Sequence, residues 1–205
     1  MSGVPIPWGS TRLDRRPGTV VEVASVSLGL YTTPPVSHLE LAARIPGYRP
    51  GMLEAAFAAR EVVGLRTLRG SGFLIPTHLL PVTVTATRER NLPSFAAYVE
   101  RLLTTADYGT WSSRIDDVMS DGVARTVSEI KAAINPPEAD RKALNFVINQ
   151  MATECRIVGT GLQKGWRSAE NALARWDDWL PGVRVDGDPA AARERLAVLY
   201  LTAWG

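Results

Sequence analysis

The 205-residue chain has one cysteine, two histidines and no long apolar run. The lone Cys155 excludes an internal disulfide, and with only His38 and His78 beside it there is no metal-ligand spacing. No segment approaches the roughly 20 apolar residues that span a bilayer, and Pro5 and Pro7 stand where a secretory signal would be apolar. We therefore expect a cytoplasmic protein with no membrane segment, metal or cofactor.

Neither positive nor negative charge is in large excess. The chain carries 23 Lys and Arg against 21 Asp and Glu, and a net charge of +2 is small for a nucleic-acid binder. Residues 1–111 hold 11 basic and 8 acidic side chains, whereas residues 112–184 hold 10 of each, so the excess lies in the first half. Arg66 and Arg69 are candidates there for phosphate contact, although a solvated surface role is commoner for any single arginine.

Two short helices are predicted between residues 113 and 137. The first covers residues 113–120 and ends at Gly122, which can adopt a left-handed cap. Thr126 and Glu129 have the spacing of a capping box, in which each side chain accepts from the backbone N–H of the other residue. The second helix therefore starts at Thr126, and the run Asn135-Pro136-Pro137 ends it.

A third, amphipathic helix is predicted over residues 138–153. Its apolar face contains Leu144, Val147, Ile148 and Met151. Its polar face contains Arg141, Lys142, Asn145 and Asn149. This polar face is a candidate reader of a nucleic-acid groove.

A hairpin is expected after the third helix. Residues 155–159 form the first strand, residues 161–165 a turn, and residues 166–173 a returning strand, although that last stretch also fits a helix. The tip carries Lys164, Trp166 and Arg167, which suit phosphate contact and base stacking. Three helices followed by a hairpin are typical of a winged helix, so double-stranded DNA is the expected partner.

The first half repeats this order in outline. Residues 19–29 fit either a strand or a helix, residues 36–45 and 50–59 are predicted helices, and residues 62–76 are a hairpin around residues 69–72. The expected fold class is mainly α with short β-hairpins (α+β), built as tandem winged-helix units. We expect the first unit at 1–111, the second at 112–184, and a helix at 185–205 that opens a third, truncated unit.

Several short motifs resemble a known family. They are Leu28-Gly29-Leu30, Ala42-Ala43-Arg44-Ile45, Glu61-Val62-Val63, Leu68-Arg69-Gly70-Ser71, Leu74-Ile75-Pro76 and the closing stretch from Arg195 to Gly205. In this order they resemble the bacterial winged-helix DNA-binding family that includes the AlkZ-like DNA glycosylases. The resemblance covers the chain from about residue 20 onward and implies a DNA-binding channel.

The chain departs from this family at its polar functional positions. The resemblance implies a Gln-x-Gln or Gln-x-Asp motif where this chain has Tyr31-Thr32-Thr33, and a histidine where it has Phe73. The hydroxyls of Tyr31 and Thr33 are poor general bases and weak stabilisers of a developing sugar cation. The sequence therefore predicts no catalytic residue.

Three functions stay open from the sequence. The preferred one is a DNA-binding winged-helix protein without catalysis. The alternatives are a DNA glycosylase that removes alkylated or crosslinked bases, and a winged-helix scaffold for protein interaction.

Overall fold

The computed structural model describes residues 18–33, 35–162 and 170–204. Its helices are α1 (Val20–Val26), α2 (Val36–Arg44), α3 (Pro50–Ala58), α4 (Leu80–Leu102), α5 (Tyr108–Val118), α6 (Val127–Ile134), α7 (Glu138–Arg141), α8 (Leu144–Thr153), α9 (Trp176–Trp179) and α10 (Pro189–Trp204). Its strands are β1 (Leu30–Tyr31), β2 (Val62–Arg66), β3 (Gly72–Pro76), β4 (Arg125–Thr126), β5 (Ile157–Leu162) and β6 (Asn171–Arg175). No helix in these described ranges is long and apolar enough to cross a membrane.

The first-half helices form where the sequence predicts them. The stretch that fits either a strand or a helix is helix α1, which Thr19 and Glu22 close with a capping box. Helices α2 and α3 confirm the predictions at residues 36–45 and 50–59, and α3 starts at Pro50, whose fixed φ suits the first helical turn.

The second-half helices are confirmed with changed limits. The capping box of α6 is present, since Glu129 N donates to Thr126 Oγ1 at 3.2 Å and Thr126 N donates to Glu129 Oε2 at 2.7 Å. Helix α5 begins five residues earlier than predicted, because the Asp107 side chain caps it. The predicted helix at 138–153 is divided into α7 and α8, because the N–H groups of Asn145 and Phe146 donate three residues back instead of four.

Both predicted hairpins form. Strands β2 and β3 pair from Val62 opposite Pro76 to Arg66 opposite Gly72. Strands β5 and β6 pair antiparallel from Ile157 to Leu162, with a bulge between Gly159 and Gly161. The returning strand covers residues 171–175, later than the predicted 166–173, and the rest of that segment lies outside the described residues.

The two hairpins belong to one antiparallel sheet with the strand order β1-β3-β2-β5-β6-β4. Strands β2 and β5 meet at Gly64 and Gly159. A Cβ atom on Gly159 would lie 2.9 Å from the Gly64 oxygen, so this close approach requires glycine at residue 159. We call this contact the glycine seam. The sequence predicts the two hairpins but not their pairing in one sheet.

Helices pack on the sheet around three groups of buried side chains. The predicted apolar face of α8 is buried in one of them, together with Trp111 and Ile115 of α5. Trp176 is buried against the sheet, and α10 packs along α4 through Leu196 and Leu199. The predicted boundary between residues 111 and 112 falls within α5, and the division of the chain into three units stays a prediction.

A buried carboxylate fastens the loop that follows α4. Asp140 of α7 accepts from the N–H and hydroxyl of Thr104 at 2.9 and 2.8 Å, from the same two groups of Thr105, and from Trp111 Nε1 at 3.0 Å. Burial alone would raise the pKa of Asp140, but the hydrogen bonds from Thr105 and Thr104 outweigh it and hold this pKa well below its usual range. Asp140 is therefore charged and supplied with donors.

Candidate nucleic-acid interface

A cleft of about 560 Å³ lies over the centre of the sheet, beneath α6 and α8. Its lining includes the polar residues Thr32, Arg66, Ser128, Asn149, Glu170 and Asn171. We call it the sheet cleft. Both hairpins contribute to it, so its shape depends on the glycine seam.

Two predicted DNA-binding residues meet in the sheet cleft. Arg66 at the end of β2 donates from Nε to Asn149 Oδ1 at 2.8 Å and from Nη1 to the Gly70 oxygen at 2.9 Å. Its guanidinium also lies 5.9 Å from the ring of Phe95. Burial lowers the pKa of Arg66, although an arginine remains charged at neutral pH. This pairing of Arg66 with Asn149 was not predicted, because the two residues lie in different halves of the chain.

Asn149 is thus only partly available to a ligand. Its carbonyl oxygen accepts from Arg66, while its amide group still has two donor hydrogens. The Nη2 group of Arg66 donates to nothing among the described residues, so it too keeps its hydrogen-bonding capacity.

The other predicted polar residues of this helical segment are exposed. Arg141, Lys142 and Asn145 lie at the turn between α7 and α8. Arg141 forms an ion pair with Glu138, with 2.9 Å between Nε and Oε2. Such an exposed pair holds the guanidinium weakly.

Four predicted DNA-binding side chains cannot be placed. Lys164, Trp166 and Arg167 lie outside the described residues. The backbone of Arg69 is in the short turn at residues 68–70, but its side chain lies outside the description.

Two of the three family motif positions, Tyr31 and Phe73, line a different cleft. A space of about 860 Å³ is bordered by Tyr31, Phe73, Glu40, Arg44, Arg90, Asn91, Arg193 and Tyr200. We call it the aromatic cleft. Tyr31 is 45% exposed and stacks on Phe73, with 4.6 Å between ring centroids, while Phe73 is buried. Thr33 is exposed and does not line this cleft.

Sequence reasoning missed Thr32, which lines the sheet cleft instead of the aromatic one. Its N–H donates to the Gly72 oxygen at 3.1 Å, and a Cβ on Gly72 would lie 2.4 Å from its hydroxyl oxygen. The alternation of side chains along an extended strand was the available signal, because it sends Tyr31 and Thr32 to opposite faces. Glu40 was also missed, since no local pattern marks it.

Neither Cys155 nor the acidic residues form a metal site in the described part of the chain. Burial raises the pKa of the Cys155 thiol to about 11, which keeps it protonated and unreactive. Among the described residues, no group of three His, Cys, Asp or Glu side chains could hold a metal ion.

The fold is therefore that of an α+β protein whose central sheet carries a polar cleft. The model of the family described as DNA glycosylase AlkZ-like matches residues 23–205, so the chain belongs to this family. No curated protein matches the sequence.

Among solved structures, the chain is similar to the Streptomyces sahachiroi DNA glycosylase AlkZ, with a TM-score of 0.70 and 15% sequence identity. The match covers 95% of this chain and 55% of that one, so the chain spans about half the length of that protein. At this identity the likeness shows a shared fold.

Proposed function

We propose that this chain binds double-stranded DNA and does not excise bases at an enzymatic rate. The observation that carries the proposal is the pairing of Arg66 with Asn149 in the sheet cleft of a chain that belongs to a DNA glycosylase family. Each side chain retains donors that suit phosphate oxygens or base edges.

The exposed turn between α7 and α8 extends this surface. Lys142 and Arg141 supply positive charge there, and Asn145 supplies an amide. We propose that these residues contact the phosphate backbone, which draws on local basic groups even when net charge is small. Lys164 and Arg167 at the tip of the second hairpin stay predicted contacts of the same kind.

The finer architecture is part of the proposal. Helices α5, α6 and α8 followed by the β5–β6 hairpin have the element order of a winged helix, with α8 in the place of a recognition helix. We propose this unit for residues 112–184, a first unit for residues 1–111, and α10 as the opening helix of a third.

The side chains at the motif positions Tyr31 and Thr33 support the absence of catalysis. Hydrolysis of a glycosidic bond needs a positioned water and an anionic or strongly polar group near the developing cation, and losing one such group costs about a hundredfold or more. Tyr31 stacks on Phe73, and Thr33 is exposed outside the cleft. Neither residue supplies a carboxamide or a carboxylate.

A glycosylase remains the second candidate, because the family membership favours it. A base-release assay on alkylated duplex DNA, run beside a binding assay on the same duplex, separates the two functions. We expect salt-dependent binding with no release above the uncatalysed background. Efficient release that is abolished by Tyr31→Phe or Thr33→Val would overturn the proposal.

The reverse substitution tests how much has been lost. We expect the double variant Tyr31→Gln, Thr33→Gln to remain inactive, because Phe73 still fills the place that the family resemblance gives to histidine. Recovery of base release in that variant would show that the motif alone separates this chain from active relatives.

A further inference from the structure

The hydrogen bond between Arg66 and Asn149 determines which groups the sheet cleft offers to a ligand. Arginine has donors and no acceptor, so the atom of Asn149 that faces Arg66 Nε must be the amide oxygen. The amide of Asn149 is therefore held in one orientation, with Oδ1 on Arg66 and both hydrogens of Nδ2 outside this bond.

Two donors remain available at this pair. Neither Nη2 of Arg66 nor Nδ2 of Asn149 donates to a described residue, and neither is one of the fully buried polar atoms that lack a partner. Both nitrogens therefore keep surface that a ligand can reach in the sheet cleft, which both residues line. Nη2 shares the guanidinium carbon with Nε, and Nδ2 shares the amide carbon with Oδ1, so the two donors lie close together.

Two neighbouring donors fit guanine better than adenine. In the major groove guanine presents two adjacent acceptors, N7 and O6, whereas adenine presents the acceptor N7 beside the donor N6. An asparagine that reads adenine must accept from N6 with its oxygen. The oxygen of Asn149 already accepts from Arg66, and a further donor would have to approach the positive guanidinium there.

A carboxylate in the lining makes the cleft a poor phosphate site. Glu170 lines the cleft beside the donor pair. Hydrogen bonds from Thr126 lower the pKa of nearby Glu129, while the charge of Glu170 acts in the opposite direction, so the two carboxylates lie close enough to interact. A base edge carries no full charge and is not repelled by these groups as a phosphate would be.

We propose that Arg66 and Asn149 recognise the N7 and O6 acceptors of guanine in the major groove of duplex DNA, with Nη2 and Nδ2 as the two donors. The pair thereby discriminates against adenine. This inference rests on the proposed DNA binding and adds a base preference to it.

The test compares three alternating duplexes of equal length, dG·dC, dI·dC and dA·dT, by fluorescence anisotropy at fixed salt. Deoxyinosine keeps the N7 and O6 of guanine in the major groove, while its pair with dC presents the same minor-groove acceptors as dA·dT. The comparison of dI·dC with dA·dT therefore isolates the major-groove edge. We expect dI·dC to bind about tenfold more tightly than dA·dT, and about as tightly as dG·dC.

The possible failures of this test are distinguishable. Equal affinity for dI·dC and dA·dT would overturn the base preference and leave DNA binding intact. Tight binding of dG·dC alone would assign the preference to the minor-groove amino group of guanine, and would also overturn the inference. Absence of binding to all three duplexes would overturn both the inference and the proposed function.

The variant Asn149→Asp tests whether this pair itself reads the base. The substitution keeps an oxygen for Arg66 but replaces the two free donors by an acceptor, so the pair would then match the N7 and N6 of adenine. We expect the preference for dI·dC over dA·dT to disappear or reverse, which a merely structural link between β2 and α8 would not cause.

Asn135→Asp is the matched control, because it makes the same charge change at an exposed residue outside the sheet cleft. We expect it to keep the wild-type preference. An unchanged preference in folded Asn149→Asp would overturn the inference. If that variant does not fold, the comparison of dI·dC with dA·dT in the wild type decides the result.

Discussion

Asp140 is buried and Arg66 is half-buried, and these two charged side chains differ in how many of their hydrogen bonds are made within the chain. Asp140 accepts five hydrogen bonds, all from within the chain. Arg66 uses Nε and Nη1 for internal bonds, and its Nη2 group donates to nothing in the described part of the chain. A charge whose partners are all internal stabilises the fold, whereas a charge with a donor to spare in a cleft can also bind a ligand.

The largest effect is expected on the stability of the fold, when Asp140 is replaced. In Asp140→Ala the N–H groups of Thr104, Thr105 and Trp111 lose their acceptor, and leaving a buried donor without a partner costs about 1–3 kcal/mol. Urea denaturation at neutral pH measures the loss. A loss of unfolding free energy below about 1 kcal/mol would show that Asp140 does not stabilise the fold.

The dependence of stability on acidic pH should also distinguish Asp140 from Arg66. The pKa of Asp140 is lower in the folded chain than the value of about 3.9 in an unfolded one, so its contribution is complete above that value and is lost as the pH falls below it. Stability measured between pH 6 and pH 3 should therefore fall less steeply in Asp140→Ala than in the wild type. Arg66→Met should keep the wild-type slope, because arginine stays charged throughout this range.

Arg66 is expected to affect binding more than folding. Arg66→Met should weaken duplex DNA binding by about tenfold to a hundredfold, since a hydrogen bond to a charged group contributes about 1.5–3 kcal/mol. Fluorescence anisotropy at fixed salt measures this, with Arg49→Met as an exposed control outside the sheet cleft. Equal affinities in the two variants would remove the sheet cleft from the DNA-binding surface.

The smallest effect is expected at the exposed charge of Lys142. Lys142→Ala should weaken binding severalfold for all duplex sequences and reduce the dependence of log K on log salt by about one. The control is Arg101→Ala, which removes an exposed charge at the end of α4. A sequence-dependent loss in Lys142→Ala would instead point to base contact.

Features that depend on neighbouring residues could be predicted from the sequence, whereas contacts between distant residues could not. The capping box of Thr126 and Glu129 and the apolar face of α8 depend on residues three or four positions apart, so their patterns are visible locally. The two hairpins are also local.

The interactions that build the sites depend on residues far apart in the chain. Asp140 meets Thr104 and Thr105 across a helix, and Arg66 meets Asn149 across the sheet. Tyr31 illustrates the same limit, because no local spacing predicts that its ring stacks on Phe73 of the neighbouring strand. Propensity and spacing carry no information on such partners.

The glycine seam has a consequence for the order of folding. Each hairpin closes a short loop, while the contact of Gly64 with Gly159 closes a long one and carries a larger entropic cost. We therefore expect the hairpins and capped helices to form early and the seam to form late. A partly folded chain would contain nearly all of its secondary structure but would lack the sheet cleft, so recognition of a ligand there would report on the last step of folding.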